Sequence, residues 1–159
     1  TEIETLKATK ILKKLGTPCL IHQPRYNMMD RWVENGLLNV LGKEGIGCIP
    51  FSPLEQGILT DKYLKTIPEN SRAAKSTGAL QKNSIKKEVL QKVKKLNEIA
   101  LNRNQSLAQM AISWLLKDQR VTSVLVGVSS KKQLLNNLGA LNNLSFTTDE
   151  LADIETILQ

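Results

Sequence analysis

The residues best equipped for chemistry fall in three short segments, each closing an apolar run: Gln23-Pro24-Arg25-Tyr26-Asn27, Phe51-Ser52-Pro53-Leu54-Glu55-Gln56-Gly57 and Val126-Gly127-Val128-Ser129-Ser130. Their types suit recognition of a flat, phosphate-bearing ligand. The Phe51 ring can stack on a planar heterocycle, and the Gln23 amide can pair with a carboxamide. A Ser-Pro-Leu turn followed by Gly57 lets backbone N–H groups approach a pyrophosphate. Gly127 and Ser129, just ahead of a helix, offer a second anion cradle through the orphan amides and dipole of its first turn. Lys62, Arg72, Lys131 and Lys132 add positive charge nearby. Each segment also has a plainer role: Phe51 as core, Ser52-Pro53 as an ordinary turn, Ser129-Ser130 as helix caps. Two anion cradles on one face favour the phosphate-bearing ligand.

Bond-breaking machinery is not legible. The one histidine, His22, lies in a strand, where a structural role facing the surrounding helices competes with that of a base. No Ser/His/Asp or Cys/His constellation can be assembled, and neither GxGxxG nor GxxxxGK[ST] occurs. The acids are scattered over helix faces. Cys19 and Cys48 sit in apolar runs without CxxC or zinc spacing, so no metal site is expected. They read as two buried thiols of a reducing compartment, with a disulfide as the alternative.

The elements that must position these segments follow from periodicity. Residues 3–15 read as an amphipathic helix with Ile3, Leu6, Ile11 and Leu15 at helical spacing, stopped by Gly16 and Pro18. Cys19 to Gln23 reads as a buried strand. A helix over Asp30 to Glu44 follows, with Trp32, Val33, Leu37, Leu38, Val40 and Leu41 inward and Gly36 as a mild interruption. A second strand, Gly45 to Phe51, begins about 28 residues after the first. Strand, helix, strand at that interval is a βαβ unit and implies a parallel sheet. Residues 52–84 lack periodicity and read as a long functional loop. Helices are expected over 85–103, from Ser106 with Gln109 as capping-box partner, after Ser129 or Ser130, and from Thr147 with Glu150. Val121 to Val128 reads as a third strand. Three parallel strands cannot close a barrel, so either raw sheet edges are exposed or more of the architecture lies elsewhere.

The chain has 159 residues, of which 41% are apolar and 23% charged, which suits one soluble globular domain over 1–159. The net charge of +7 calls for an anionic partner. Aromatic residues make up only 4% and are scattered, which argues against nucleic acid as that partner. The lysines at 82–95 read as a solvated helix face, and Trp114 and Leu115 as core. No long apolar stretch is present, so a membrane partner is not expected. The opening TEIETLKATK lacks a signal-type apolar region, and the expected compartment is the cytoplasm. The start without Met suggests a piece of something longer.

With these segments in view, the sequence resembles the carboxyl-terminal half of the aldo-keto reductases. Within that superfamily it is most similar to the branch holding bacterial glyceraldehyde-3-phosphate reductases and voltage-gated potassium channel β subunits. The stretches that carry the resemblance are LIHQPRYNMMDRW, GIGCIPFSPLEQGILTDKYL, IPENSR, SLAQMAISWLL and SVLVGVSSKKQLLNNLGAL, nearly the whole chain.

The resemblance implies an α/β fold, a parallel (β/α)8 TIM-type barrel of which this chain supplies three strands plus helices. It implies NADPH across the carboxyl-terminal mouth. Gln23 would meet the nicotinamide amide and Phe51 the nicotinamide ring. Ser52, Pro53, Leu54, Gln56 and Gly57 would line the pyrophosphate. Lys62 and Arg72 would hold phosphates from the long loop, a cofactor clasp. Gly127, Ser129, Gln133, Asn136 and Asn137 would surround the 2′-phosphate and adenine. The chain departs from the family in carrying Asn136-Asn137 where many members have Glu-Asn, and Gly127 where classical members have Lys. The family's Asp, Tyr, Lys and His tetrad lies on the first four strands, and none of those motifs occurs here. The resemblance therefore implies a reductase of small aldehydes or ketones whose catalytic residues come from an amino-terminal half, the 159 residues alone being inactive. The alternative is an NADPH-binding regulatory subunit like the channel β subunits. Homo-oligomerisation is left open.

Overall fold

The computed structural model describes residues 1–64 and 86–159. Helix α1 (Glu2–Lys14) starts at a capping box: Thr1 Oγ1 accepts from the Glu4 amide while the Glu4 carboxylate accepts from the amino terminus. Glu2 and Glu4 in its first turn and Lys13 and Lys14 in its last complement the helix dipole. Its apolar stripe of Ile3, Ile11 and Leu15 faces solvent, and Thr9 is its one buried residue.

Strand β1 (Ile21–His22) pairs in parallel with β2 (Gly47–Cys48), Ile21 opposite Gly47 and His22 opposite Cys48. The pairing runs on past both strands to a bridge between Arg25 and Phe51. Amides of Gly47, Ile49 and Phe51 donate to Leu20, His22 and Pro24 carbonyls at 2.8, 3.0 and 2.9 Å. On the other side of β2, residues 121–125 run alongside as a third stave, with a parallel bridge between Cys48 and Val121. Thr122 N donates to Cys48 O at 2.8 Å and Leu125 N to Pro50 O at 2.9 Å. The three expected strands are therefore neighbours with β2 in the middle, and the fold is α/β with a parallel sheet.

Two expectations need correction. The third strand, expected over Val121–Val128, is not a regular strand. Pro50 has no N–H to give it, and the register slips there: between successive bonds the third stave advances three residues (122 to 125) while the central stave advances two (48 to 50). The single helix expected over Asp30–Glu44 is two elements: a short 3-10 turn at Trp32–Glu34, then α2 (Leu37–Glu44). Gly36 separates them at φ 107°, a conformation side-chain-bearing residues rarely adopt, and a Cβ there would lie 1.5 Å from Glu2 Oε2. Trp32 consequently turns to the surface and donates its ring N–H to Arg25 O at 3.0 Å.

The core lies on the helical side of the staves. It joins Leu37, Leu38 and Leu41 of α2 to Val93, Leu96 and Ala100 of α3 (Lys87–Asn102). Met110, Trp114 and Leu115 of α4 (Leu107–Leu116) and Ile154 of α6 (Thr148–Leu158) complete it. Helix α4 is apolar nearly all round and central. Lys87, Lys94 and Lys95 of α3 point outward, as its pattern predicts, whereas Lys92 is partly buried and donates to Leu158 O of α6 at 2.7 Å. Capping boxes at Ser106–Gln109 and Thr147–Glu150 start α4 and α6, and Ser130 caps α5 (Lys131–Leu138), all where the sequence signals them. The strand expected to be buried over Cys19–Gln23 is instead an exposed edge, with Leu20 and Ile21 open to solvent because no described stave pairs on its outer side; Leu125 is exposed at the other edge, so among the described residues both flanks of the sheet are raw.

One buried charge ties the helices together. Arg103, its side chain 2% exposed, donates to Gln105 Oε1 at 3.0 Å, Glu150 Oε2 at 2.6 Å and Ser145 O at 2.8 Å. Its guanidinium lies 3.7 Å from the centre of the Phe146 ring. Removing one member of so enclosed a set leaves the others unpaired, so Arg103→Met is expected to cost about 3 kcal/mol in urea unfolding with an unchanged m value.

Both cysteines are free, but only Cys48 is fully buried; Cys19 is partly exposed, because it precedes the paired part of β1. Burial pushes the Cys48 thiol up to about 11. Iodoacetamide at pH 8 should therefore label Cys19 at least roughly tenfold faster than Cys48, a ratio read by mass spectrometry of the folded protein.

Candidate functional site

The carboxyl ends of the three staves lie at one end of the sheet. The backbone bonds linking Pro24 to Phe51 and Pro50 to Leu125 bring Gln23, Phe51 and the segment leading to Gly127 onto adjacent staves. Gln23 and Gly127 are exposed, and Phe51 is 40% exposed. Phe51 is thus not core, and its ring is accessible for stacking. A Cβ on Gly127 would meet nothing within 4 Å, so its backbone is open to approach.

The loop after Phe51 has an unusual backbone. Ser52, Glu55 and Gln56 have φ of 56°, 43° and 55°, and Gly57 has 99°. For residues with side chains this left-handed region costs about 1–2 kcal/mol each. Internal bonds fold the loop: Glu55 N to Ser52 O at 3.0 Å, Gly57 N to Leu54 O at 2.8 Å and Leu59 N to Leu54 O at 3.1 Å. Among the described residues the amides of Ser52 and Leu54 find no acceptor. Pro53 is buried and Leu54 packs on the core, so these two anchor the loop. Lys62 is exposed in a 3-10 turn beyond it, its ammonium 6.0 Å from the centre of the Tyr63 ring.

Three residues that hold this loop lie in the segments singled out from sequence but had no role assigned to them there. The buried Asn27 (0% exposed) donates its amide to Ser52 O at 3.0 Å and Glu55 Oε2 at 2.6 Å, and accepts from the amides of Met29 and Asp30 at 2.9 and 3.0 Å. Arg25 pairs with the other oxygen of Glu55, and its Nε lies 3.0 Å from Asp30 Oδ2. The hydrogen bond that Arg25 donates to the Glu55 carboxylate is the chief reason its guanidinium is held even more firmly protonated than usual. The legible signal was Arg25 and Glu55, opposite charges just past the ends of two strands expected to pair.

At the third stave, Ser129 N and Oγ both donate to Gln133 Oε1, at 2.9 and 3.0 Å, while Ser130 Oγ accepts from Gln133 N. Ser129 and Gln133 therefore meet at the exposed start of α5. Asn136 spends its side chain on Ser106 Oγ at 3.1 Å and its carbonyl on Gln109, tying α5 to α4. Asn137 is buried. These two asparagines are thus partly committed to packing, unlike Ser129 and Gln133. Arg72 and most of the expected clasp at 52–84 lie outside the described residues.

His22 stands apart from this end. It is half-buried, and its Nδ1 has no partner among the described residues. Burial, with help from the nearby amino terminus, lowers its pKa. It faces α1 across a cleft of about 340 Å³ shared with Cys19 and Thr9, and a second cleft of about 310 Å³ lies between α3 and α6. Among the described residues no group of three or more His, Cys, Asp and Glu could hold a metal ion, and no helix is long and apolar enough to cross a membrane.

The surface offers a stackable ring, an exposed amide, a loop with free N–H groups and a capped helix start. These features suit a flat, phosphate-bearing ligand. The chain is 51% identical over 155 residues to an L-glyceraldehyde 3-phosphate reductase of Escherichia coli O157:H7, covering 95% of this chain and 45% of that protein. It is 50% identical, with the same coverage, to the protein of that name from strain K12. It is 37% identical over 144 residues to a probable voltage-gated potassium channel subunit beta of Oryza sativa subsp. japonica, covering 88% and 44%. The chain thus spans a little under half the length of these relatives. The model of the aldo/keto reductase family matches residues 1–159, the whole of the chain, and this chain belongs to the aldo/keto reductase family.

Proposed function

We propose that this chain supplies the cofactor-binding part of an NADPH-dependent reductase of small aldehydes or ketones, working within a (β/α)8 barrel. The observation that carries this is Phe51: an aromatic ring at the end of the central stave, partly exposed, with a left-handed loop directly behind it whose Ser52 and Leu54 amides find no acceptor among the described residues. The family match and the bacterial relatives support it, and their name makes glyceraldehyde 3-phosphate the first substrate to try.

The bound cofactor supplies a hydride to the carbonyl carbon. The residues of this chain bind and orient it. Phe51 backs the nicotinamide ring and Gln23 fixes its amide, so that one face is presented to the substrate. Ser52, Leu54, Gln56 and Gly57 offer backbone groups to the pyrophosphate, and Lys62 adds charge. Ser129 and Gln133 at the start of α5 receive the adenosine end, joined by Gly127, Asn136 and Asn137. The proton for the developing alkoxide comes from catalytic residues of the amino-terminal half, and these 159 residues alone do not turn over. A cytoplasmic setting fits two free thiols. The channel-subunit relatives support a second reading, an NADPH-binding regulator with slow turnover.

Titration with NADPH, followed by its fluorescence, tests the proposal. Saturable binding is expected, and Phe51→Ala should raise Kd about tenfold through lost stacking. No saturable binding would overturn it. Arg72→Ala should weaken NADPH more than NADH, because Arg72 would meet the extra phosphate; equal loss of both removes Arg72 from that role.

A further inference from the structure

We propose that Arg25, Asn27 and Glu55 form a clamp between the mouths of β1 and β2 that sets the loop 52–57 in its phosphate-receiving shape. This rests on the reading that the loop receives the cofactor's phosphates. Three side-chain-bearing residues of that loop are left-handed, so without outside support the segment would relax to other conformations. Its outside support comes from the segment that follows β1. Asn27 grips the loop at both ends, at Ser52 O and Glu55 Oε2, and all four hydrogen-bonding sites of its own amide are used. Arg25 takes the second Glu55 oxygen.

The clamp has an electrostatic side. A carboxylate in a pyrophosphate loop would repel the ligand. Here both Glu55 oxygens are turned inward onto Asn27 and Arg25, and the side chain is only 15% exposed. The charge that would oppose an anion is thereby spent on holding the loop. Arg25 is itself fixed by Asp30, and its carbonyl by the Trp32 ring N–H. The segment 25–32 therefore acts as a rigid bracket for a loop on the neighbouring stave. Its members are positioning residues, since none of them needs to touch the ligand.

The test compares Glu55→Gln, Arg25→Met and the double variant in the whole protein. Two readouts are taken: hydrogen exchange of the Glu55, Gly57 and Ile58 amides without ligand, and NADPH affinity. Each single change should speed that exchange and raise the NADPH Kd about tenfold, and the double should cost no more than the worse single, because the two residues act as one unit. The melting temperature should move by no more than about 2 °C, since Arg25 and Glu55 stand at the edge of the core. Unchanged exchange in both single variants overturns the clamp, even if NADPH binds. Additive losses, or a loss of affinity that tracks a large fall in melting temperature, also overturn it. If the unaltered protein binds no NADPH, the functional reading fails by itself, and faster exchange still upholds the clamp as a device that shapes the loop.

Discussion

The structure depends on the backbone of β2 being satisfied on both sides at once. Its residues alternate in direction: the amides of Gly47, Ile49 and Phe51 reach β1 and its extension, while the carbonyls of Cys48 and Pro50 receive amides of the third stave. A buried strand has no water to fall back on, so both neighbours are obligatory. Parallel pairing in turn obliges each connection to cross over one face, and α2 and the α3–α4 pair do this and carry the core. The carboxyl ends of all three staves then emerge at one end of the sheet whatever loops follow them.

That end is where order and strain meet. The ladder runs through Phe51, and the next residue, Ser52, is already left-handed. A loop can hold such a conformation only when its surroundings over-determine it. Here they are the buried Pro53 below, Asn27 and Arg25 at the side, and the internal bonds around Leu54. Polar groups elsewhere serve packing instead. Arg103 stitches α3 to the start of α6, and Tyr26 packs edge-on to Trp114 with its hydroxyl on Glu34. The cations Arg31 and Lys117 lie 5.1 and 4.1 Å from the Trp114 ring centre. These contacts bring charged side chains up to a small, aromatic-poor core, Lys117 through the face of the Trp114 ring.

Much of the fold was legible because its signals are local. A capping box needs only Ser106 and Gln109, or Thr147 and Glu150, three residues apart, and each helix begins where its box says. The strand–helix–strand interval gave the parallel pairing for the same reason. Of the candidate site residues, Phe51, Gln23 and Ser129 stood out by type and by their place at the ends of apolar runs, whereas Gln133 was named only through the family resemblance. The break at Gly36 was harder to see. A glycine inside an apolar pattern reads as a tolerated blemish, and only the positive φ and the Glu2 carboxylate against it show a boundary.

The amino-acid sequence by itself determined the helices, the parallel order of its apolar runs and the chemical types gathered at their ends, because all of these follow from spacing within a few residues. Only tertiary structure decided the slip of the third stave at Pro50, the exposure of Phe51 and of the α1 stripe, and the division of labour between Asn136, tied to α4, and Gln133, at the open end of α5. The joining of Arg25 and Asn27 to Glu55 also belongs there, since residues 28 to 30 apart in sequence acquire a hydrogen bond only when two strands bring their ends together.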